Sequence, residues 1–231
     1  MVAAAAYRAA ARLKDGRTGT VHDYSKKRGV AHAEVMTPAA APAWMQDREQ
    51  LWSHVEASEK RRDAQLAREI NMALPHELTD EQRLELVRGF VAEQFVSRGM
   101  VADFAIHTPV RERGDDPRNH HAHVLLTLRK ATAQGFHRTK TREWNADDLL
   151  KGWRAEFATR QNQFLGRHGF AARVDHRSLA VQREEAERAG DRPRAVMLDR
   201  VAELHVGPRA MKAVYSGRHP KSRDREQGPV R

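Results

Sequence analysis

No cysteine occurs among the 231 residues, which excludes disulfides, iron–sulfur clusters and thiolate zinc sites and leaves any metal to histidine and carboxylate. No apolar run approaches the ~18 residues that a membrane-spanning helix needs. With charged residues at 31% of the chain, a transmembrane protein is excluded. Nor does the N-terminus read as a secretory signal, because residues 1–11 lack a basic lead and are broken by Tyr7 and Arg8. The cytoplasm is the default location. What the chain has in excess is positive charge: 41 Lys and Arg against 31 Asp and Glu give +10. Such an excess points to a polyanion partner, since each neutralised phosphate releases counterions. A merely solvated basic surface is the bland alternative.

The Ala-rich residues 1–13 read as helix, followed by turns at Asp15-Gly16 and Thr18-Gly19 and the basic stretch Lys26-Lys27-Arg28. Residues 37–43 read as a connector and 44–60 as a helix marked by Trp44, Leu51, Trp52 and Val55. In residues 65–74, Ile70, Met72 and Leu74 alternate with Glu69, Asn71 and Ala73, the period of a strand with one buried face. Thr79 and Gln82 form a capping-box sequence ahead of a helical stripe of Leu84, Val87, Val91 and Phe95, with Gly99 at its end. Residues 100–106 and 122–128 predict two strands joined by the polar loop 108–119. Asn145 is placed as the cap of a helix ending near Gly169, residues 174–179 as a short strand or turn, and 182–189 as a charged helix. The expected organisation is one domain over 1–215 and a basic, disordered tail over 216–231.

Of thirteen histidines, three have a spacing with a mechanism: His107 ends one hairpin strand, and His121 and His123 begin the next. Strand residues at i and i+2 share a face, so antiparallel pairing brings three imidazoles towards one ion with open positions, as in a catalytic metal site. His120 offers the opposite face and an alternative register. Asp103 shares the face of His107 and is a candidate to orient an imidazole. Spacing alone does not choose among hydrolase, carbonic-anhydrase-like, cupin-like and nuclease chemistry. Tyr7, among small neighbours, is a candidate nucleophile for phosphorus, against the commoner case of a packing tyrosine. Glu69 and Asn71 are placed to assist the metal or the leaving group, and a solvated strand face accounts for them equally well.

These residues carry a resemblance. AAAAYR around Tyr7, HDYSKKRGV with Asp23 and Tyr24, REINMALPHELTDEQ, the block from Asp103 to His107, and Asn119-His120-His121-Ala122-His123 resemble the MobA/MobL family of relaxases, plasmid-mobilisation nucleases of the HUH type that include the N-terminal domain of TraA-like proteins. His120 departs from the family's usual proline. The resemblance implies an α+β fold, an antiparallel sheet carrying the histidines with helices on one face and a groove for single-stranded DNA. Relatives begin further upstream, so the expected sheet lacks the family's first strand. It implies that Tyr7 attacks the nick-site phosphodiester of a transfer origin to form a 5′-phosphotyrosyl link, with Mg²⁺ or Mn²⁺ on His107, His121 and His123 and with Glu69 at a carboxylate position near the centre.

Asp103 and Asn119 are then the residues expected to orient the ligands, and Arg8, Tyr24, Lys26, Lys27 and Arg28 those expected to bind the strand. Accessory mobilisation and coupling proteins are the implied partners. The alternatives are a rolling-circle replication initiator with the same chemistry, an inactive truncated DNA-binding remnant, and a three-histidine enzyme for a small molecule, against which the basic charge weighs.

Overall fold

Alternating apolar and polar residues build the centre of the fold. The computed structural model describes residues 1–61, 63–200 and 216–217. In chain order they form α1 (Val2–Ala9), β1 (Arg12–Lys14), β2 (Val21–Asp23), β3 (Val30–Met36), a 3-10 turn at Ala43–Gln46, α2 (Arg48–Ala57) and β4 (Ala67–Ala73). Then follow α3 (Asp80–Gln94), β5 (Ala102–His107), β6 (His121–Thr127), the small hairpin β7 (Ala131–Thr132) and β8 (Gly135–Phe136), α4 (Asp147–Arg167), α5 (Leu179–Arg188) and α6 (Arg192–Leu198). They fall into two compact units, Met1–Asp175 and the residues from His176 onward, the second holding α5 and α6. The boundary expected at 215/216 and nearly all of the expected tail lie outside the described residues.

The main sheet has the order β3-β5-β6-β4, and every neighbouring pair is antiparallel. One face carries Phe104 and Ile106 of β5, Ala122, Val124 and Leu126 of β6 and Met72 of β4, packed with Leu86, Phe90 and Val91 of α3 and Trp153, Phe157 and Leu165 of α4. The capping box at Thr79 starts α3 as its sequence requires: Thr79 Oγ1 accepts from the Gln82 amide and Gln82 Oε1 accepts from the Thr79 amide. Such a cap contributes about 1 kcal/mol. The expected helices on one face are therefore the long pair α3 and α4. The opposite face, on which Leu125 sits, is partly covered by the shorter α1 and α2 through Val2, Ala5, Ala6, Leu51, Trp52 and Val55.

Local boundaries differ from expectation for identifiable reasons. The helix expected over 1–13 stops at Ala9, because Ala10 turns left-handed (φ 51°) and sends the chain into β1. The helix expected over 44–60 is interrupted at Asp47, whose side chain accepts from the Gln50 amide and starts α2 afresh. Asn145 closes a 3-10 turn, and Ala146 is the N-cap of α4. Residues 174–177 form no strand, and Ser178 instead caps α5 by accepting from the Val181 amide. The strands β2 and β3, on either side of the basic stretch Lys26-Lys27-Arg28, were not foreseen.

Candidate active site

The site forms where β5 ends and β6 begins. Pairing sets His107 opposite His121 and Ala105 opposite His123, so all three imidazoles rise from the face shared with α1. Their ring centroids lie 5.2 Å apart for His107 and His121, 4.8 Å for His107 and His123, and 5.2 Å for His121 and His123. One ligand nitrogen from each ring lies within 4.8 Å of the others. Burial lowers the pKa of His107 to about 4 and lowers that of His121 as well, so both are neutral ligands at neutral pH.

Each ring is held by a hydrogen bond from its other nitrogen. His107 Nε2 donates to the Arg8 carbonyl at 2.7 Å, His121 Nδ1 to the Asn119 carbonyl at 3.0 Å, and His123 Nδ1 to Glu69 Oε1 at 2.8 Å. Carbonyls and ionised carboxylates only accept, so these bonds set the tautomers. A triad of oriented imidazoles, with no fourth protein ligand among the described residues, fits a divalent cation that keeps open positions.

Tyr7 stands beside this cluster on the last turn of α1. Its side chain is 51% exposed, its ring meets Tyr24 edge-on at 5.3 Å, and the Lys27 ammonium lies 4.2 Å from the ring centroid. Lys27 also donates to the Tyr7 carbonyl at 2.9 Å. A helix leaves its last four carbonyls without intrahelical partners. Here Lys27 takes that of Tyr7 and His107 that of Arg8, so the helix is capped by the site itself. The loop carrying Lys27 is pinned at Gly29 (φ +84°), where a Cβ would lie 2.7 Å from Val110 Cγ2 and 2.9 Å from the Thr108 carbonyl oxygen. No other residue type fits that approach to the exit of β5 without displacing backbone.

The MobA/MobL family profile matches residues 1–191. The chain belongs to the MobA/MobL family. It is 38% identical over 211 residues to the mobilization protein MobL of Acidithiobacillus ferridurans, covering 80% of this chain and 55% of that protein. It is 42% identical over 146 residues to the conjugal transfer protein TraA of Agrobacterium fabrum, covering 59% of this chain and 13% of that protein. The chain thus spans about half the length of the first relative and a small part of the second. Among solved structures, one described under the molecular basis of vancomycin resistance transfer in Staphylococcus aureus superposes with a TM-score of 0.69 at 34% identity, over 77% of this chain and 90% of that one.

Within this MobA/MobL chain, Asp103 does not orient a histidine, and that expectation is corrected. Its carboxylate is buried under α2, where it accepts from Arg48 Nε at 2.9 and 3.0 Å and from Trp52 Nε1 at 2.7 Å. Asn119 does hold His121, through its backbone carbonyl rather than its side chain. Glu69 is drawn in by His123 and by Arg8. The bond from His123, with the Arg8 guanidinium beside it, lowers the Glu69 pKa to about 2. A carboxyl ionised at neutral pH has no proton to give a leaving group, which leaves Glu69 the work of orienting His123. Lys26 and Arg28 are exposed beside Lys27, while Arg8 is engaged with Glu69. Sequence reasoning missed Arg48 and Trp52, whose signal, an Arg and a Trp four apart on one helix, is not specific.

Metal affinity should follow this geometry. His121→Ala is expected to weaken Mn²⁺ binding at least about 10-fold by calorimetry, since even loss of an outer partner costs that much. His120→Ala should leave it unchanged, because His120 precedes β6, its carbonyl accepts from the Leu74 amide, and it lies among Arg83, Asp80 and His76. Equal losses in the two variants would reject the assignment.

Proposed function

We propose that this chain nicks one strand of DNA at a plasmid transfer origin and holds the cut end as a phosphotyrosine, the first step of mobilisation. The observation that carries the proposal is the half-exposed Tyr7 on a helix whose end is bonded to the three-histidine cluster. The Tyr7 oxygen attacks phosphorus, its proton leaving to solvent. The bond from phosphorus to the 3′-oxygen breaks, that oxygen takes a proton from solvent and departs as the 3′-hydroxyl, and the 5′-phosphate remains esterified to Tyr7. His107, His121 and His123 would hold a divalent cation, which when bound would supply charge neutralisation at the phosphate. Of Mg²⁺ and Mn²⁺, the all-imidazole donor set favours Mn²⁺, since Mg²⁺ prefers oxygen ligands.

The chain's own residues do the rest. Glu69 and the Asn119 carbonyl fix two rings, and Lys27, Lys26 and Arg28 present charge to the strand. Tyr24 supports the Tyr7 ring. The reaction belongs in the cytoplasm, where plasmid DNA resides, and accessory mobilisation and coupling proteins are the expected partners. The test is incubation with a single-stranded oligonucleotide bearing the cognate nick site and Mn²⁺. A denaturation-resistant adduct that EDTA abolishes is expected. Absence of adduct from this chain and from a version extended upstream would leave a DNA-binding role without chemistry.

The strand contacts carry a pH signature. Burial, with Arg8 and Arg113 nearby, lowers the Lys27 pKa from 10.5 to about 8. Protonated Lys27 favours bound phosphate, so its contribution is present below about pH 8 and lost as the pH rises through that value. Between pH 7 and pH 9, fluorescence anisotropy should show weaker binding and a salt slope smaller by roughly 0.7, one phosphate contact. Lys27→Arg should remove the pH step, and a step that persists would place the titrating contact elsewhere.

A further inference from the structure

The helix that carries Tyr7 has little to hold it. α1 is eight residues long, and its buried side chains are Val2, Ala5 and Ala6. Isolated helices of that length are unstable in water, and two alanines and a valine offer little apolar area. At its start the Val2 amide donates to Glu56 Oε1 at 3.3 Å, and at its end, where Tyr7 sits, the polar contacts gather on the neighbouring Arg8.

We propose that Arg8 is a positioning residue that locks the Tyr7 helix to the metal-binding histidines, rather than a contact to DNA. Its guanidinium grips Glu69 as a fork, Nε to Oε1 at 2.6 Å and a terminal nitrogen to Oε2. Its other terminal nitrogen donates to the Ala4 carbonyl one turn back at 3.1 Å, tying the fork to its own helix. Glu69 Oε1 in turn accepts from His123, while the Arg8 carbonyl accepts from His107. A single residue thus reaches two of the three imidazoles by two routes, one through its side chain and one through its backbone. A phosphate could engage this guanidinium in the same bidentate way only by displacing Glu69. Among the described residues, Lys26, Lys27 and Arg28 make no such carboxylate bond, and they suit the strand better.

The inference rests on the proposed function in taking Tyr7 as the nucleophile, so the test has an arm that needs no DNA. Hydrogen exchange of the full chain is measured for wild type, Arg8→Lys and Glu69→Gln. Arg8→Lys keeps a charge that serves a phosphate but not the fork, and Glu69→Gln leaves Arg8 itself intact. Both variants are expected to speed exchange of the amides at the end of α1 roughly tenfold or more, the loss of a charge-assisted bidentate pair, while α3 exchanges as in wild type. In the second arm, adduct formation is slowed in each variant, and the double variant is no slower than the slower single one, because both break the same link.

Unchanged exchange in both variants, or a wild-type adduct rate in Arg8→Lys, would overturn the proposal. So would losses that add in the double variant. If no protein, wild type included, forms an adduct, the proposed function fails while the exchange arm still decides the role of Arg8.

Discussion

Tyr7→Phe is expected to form no detectable adduct, a fall of at least about 10³-fold in rate, as removal of a nucleophile produces elsewhere. Strand affinity and Mn²⁺ affinity should stay at wild-type values. The substitution removes one oxygen and keeps the ring, so the edge-on contact with Tyr24 and the Lys27 ammonium over the ring face both persist. The Tyr7 carbonyl still accepts from Lys27, since that bond is to backbone. The loss is therefore chemical and not structural. Tyr24→Phe should retain the adduct, because Tyr24 supports the nucleophile with its ring. A denaturing gel on radiolabelled oligonucleotide reads all three proteins, and adduct in Tyr7→Phe would move the nucleophile elsewhere.

The second large effect falls on stability. Asp103→Ala should destabilise the Met1–Asp175 unit by about 3–5 kcal/mol, because breaking a buried ion pair strands the surviving charge. The Arg48 guanidinium would be left without its carboxylate and Trp52 Nε1 without its acceptor. Burial raises the Asp103 pKa, opposed by the Arg48 charge and the Trp52 bond. All four tryptophans, at 44, 52, 144 and 153, lie in this unit, so urea unfolding followed by fluorescence reports it directly. Mn²⁺ affinity of the folded protein should change by less than about twofold, well below the cost of losing a ligand's partner. Lost metal affinity with unchanged stability would return Asp103 to the histidines.

The histidine hairpin was legible because its signal is local. A period of two places His121 and His123 on one face whatever the rest of the chain does, and the single polar loop 108–119 that joins the two strands allows them to pair antiparallel. The capping box at Thr79 and the alternation in β4 were legible for the same reason. The Asp103 assignment had the correct face and the wrong reach. Four residues of strand separate it from His107, roughly 13 Å at 3.3 Å each, beyond a carboxylate's span. Its actual partners arrive from α2, and no local pattern announces a helix laid across a sheet.

Glu69 was picked out for its polar strand face, yet its bond to His123 depends on β4 pairing with β6, which is information about the sheet and not about either strand. β3 escaped notice because His32 and Glu34 interrupt one of its faces between Val30 and Met36. His32 and Glu34 point to the α3 side and are accommodated there by an ion pair with Arg88 and by the Phe104 ring.

The left-handed Ala10 that ends α1 has a consequence for the angular register of the nucleophile. Each residue of a helix is turned about 100° from the one before it. Arg8 is anchored by its carbonyl and its fork, and the turn at Ala10 prevents the helix from running on to absorb a slip. A residue inserted ahead of Tyr7 leaves the angle between the phenol and Arg8 as it was. One inserted between Tyr7 and Arg8 would swing the phenol about 100° around the axis while leaving composition, charge and the histidines as they were. The direction in which Tyr7 faces is thus set by its adjacency to Arg8, and chains that share the tyrosine but not that spacing would present it to a different side of the strand.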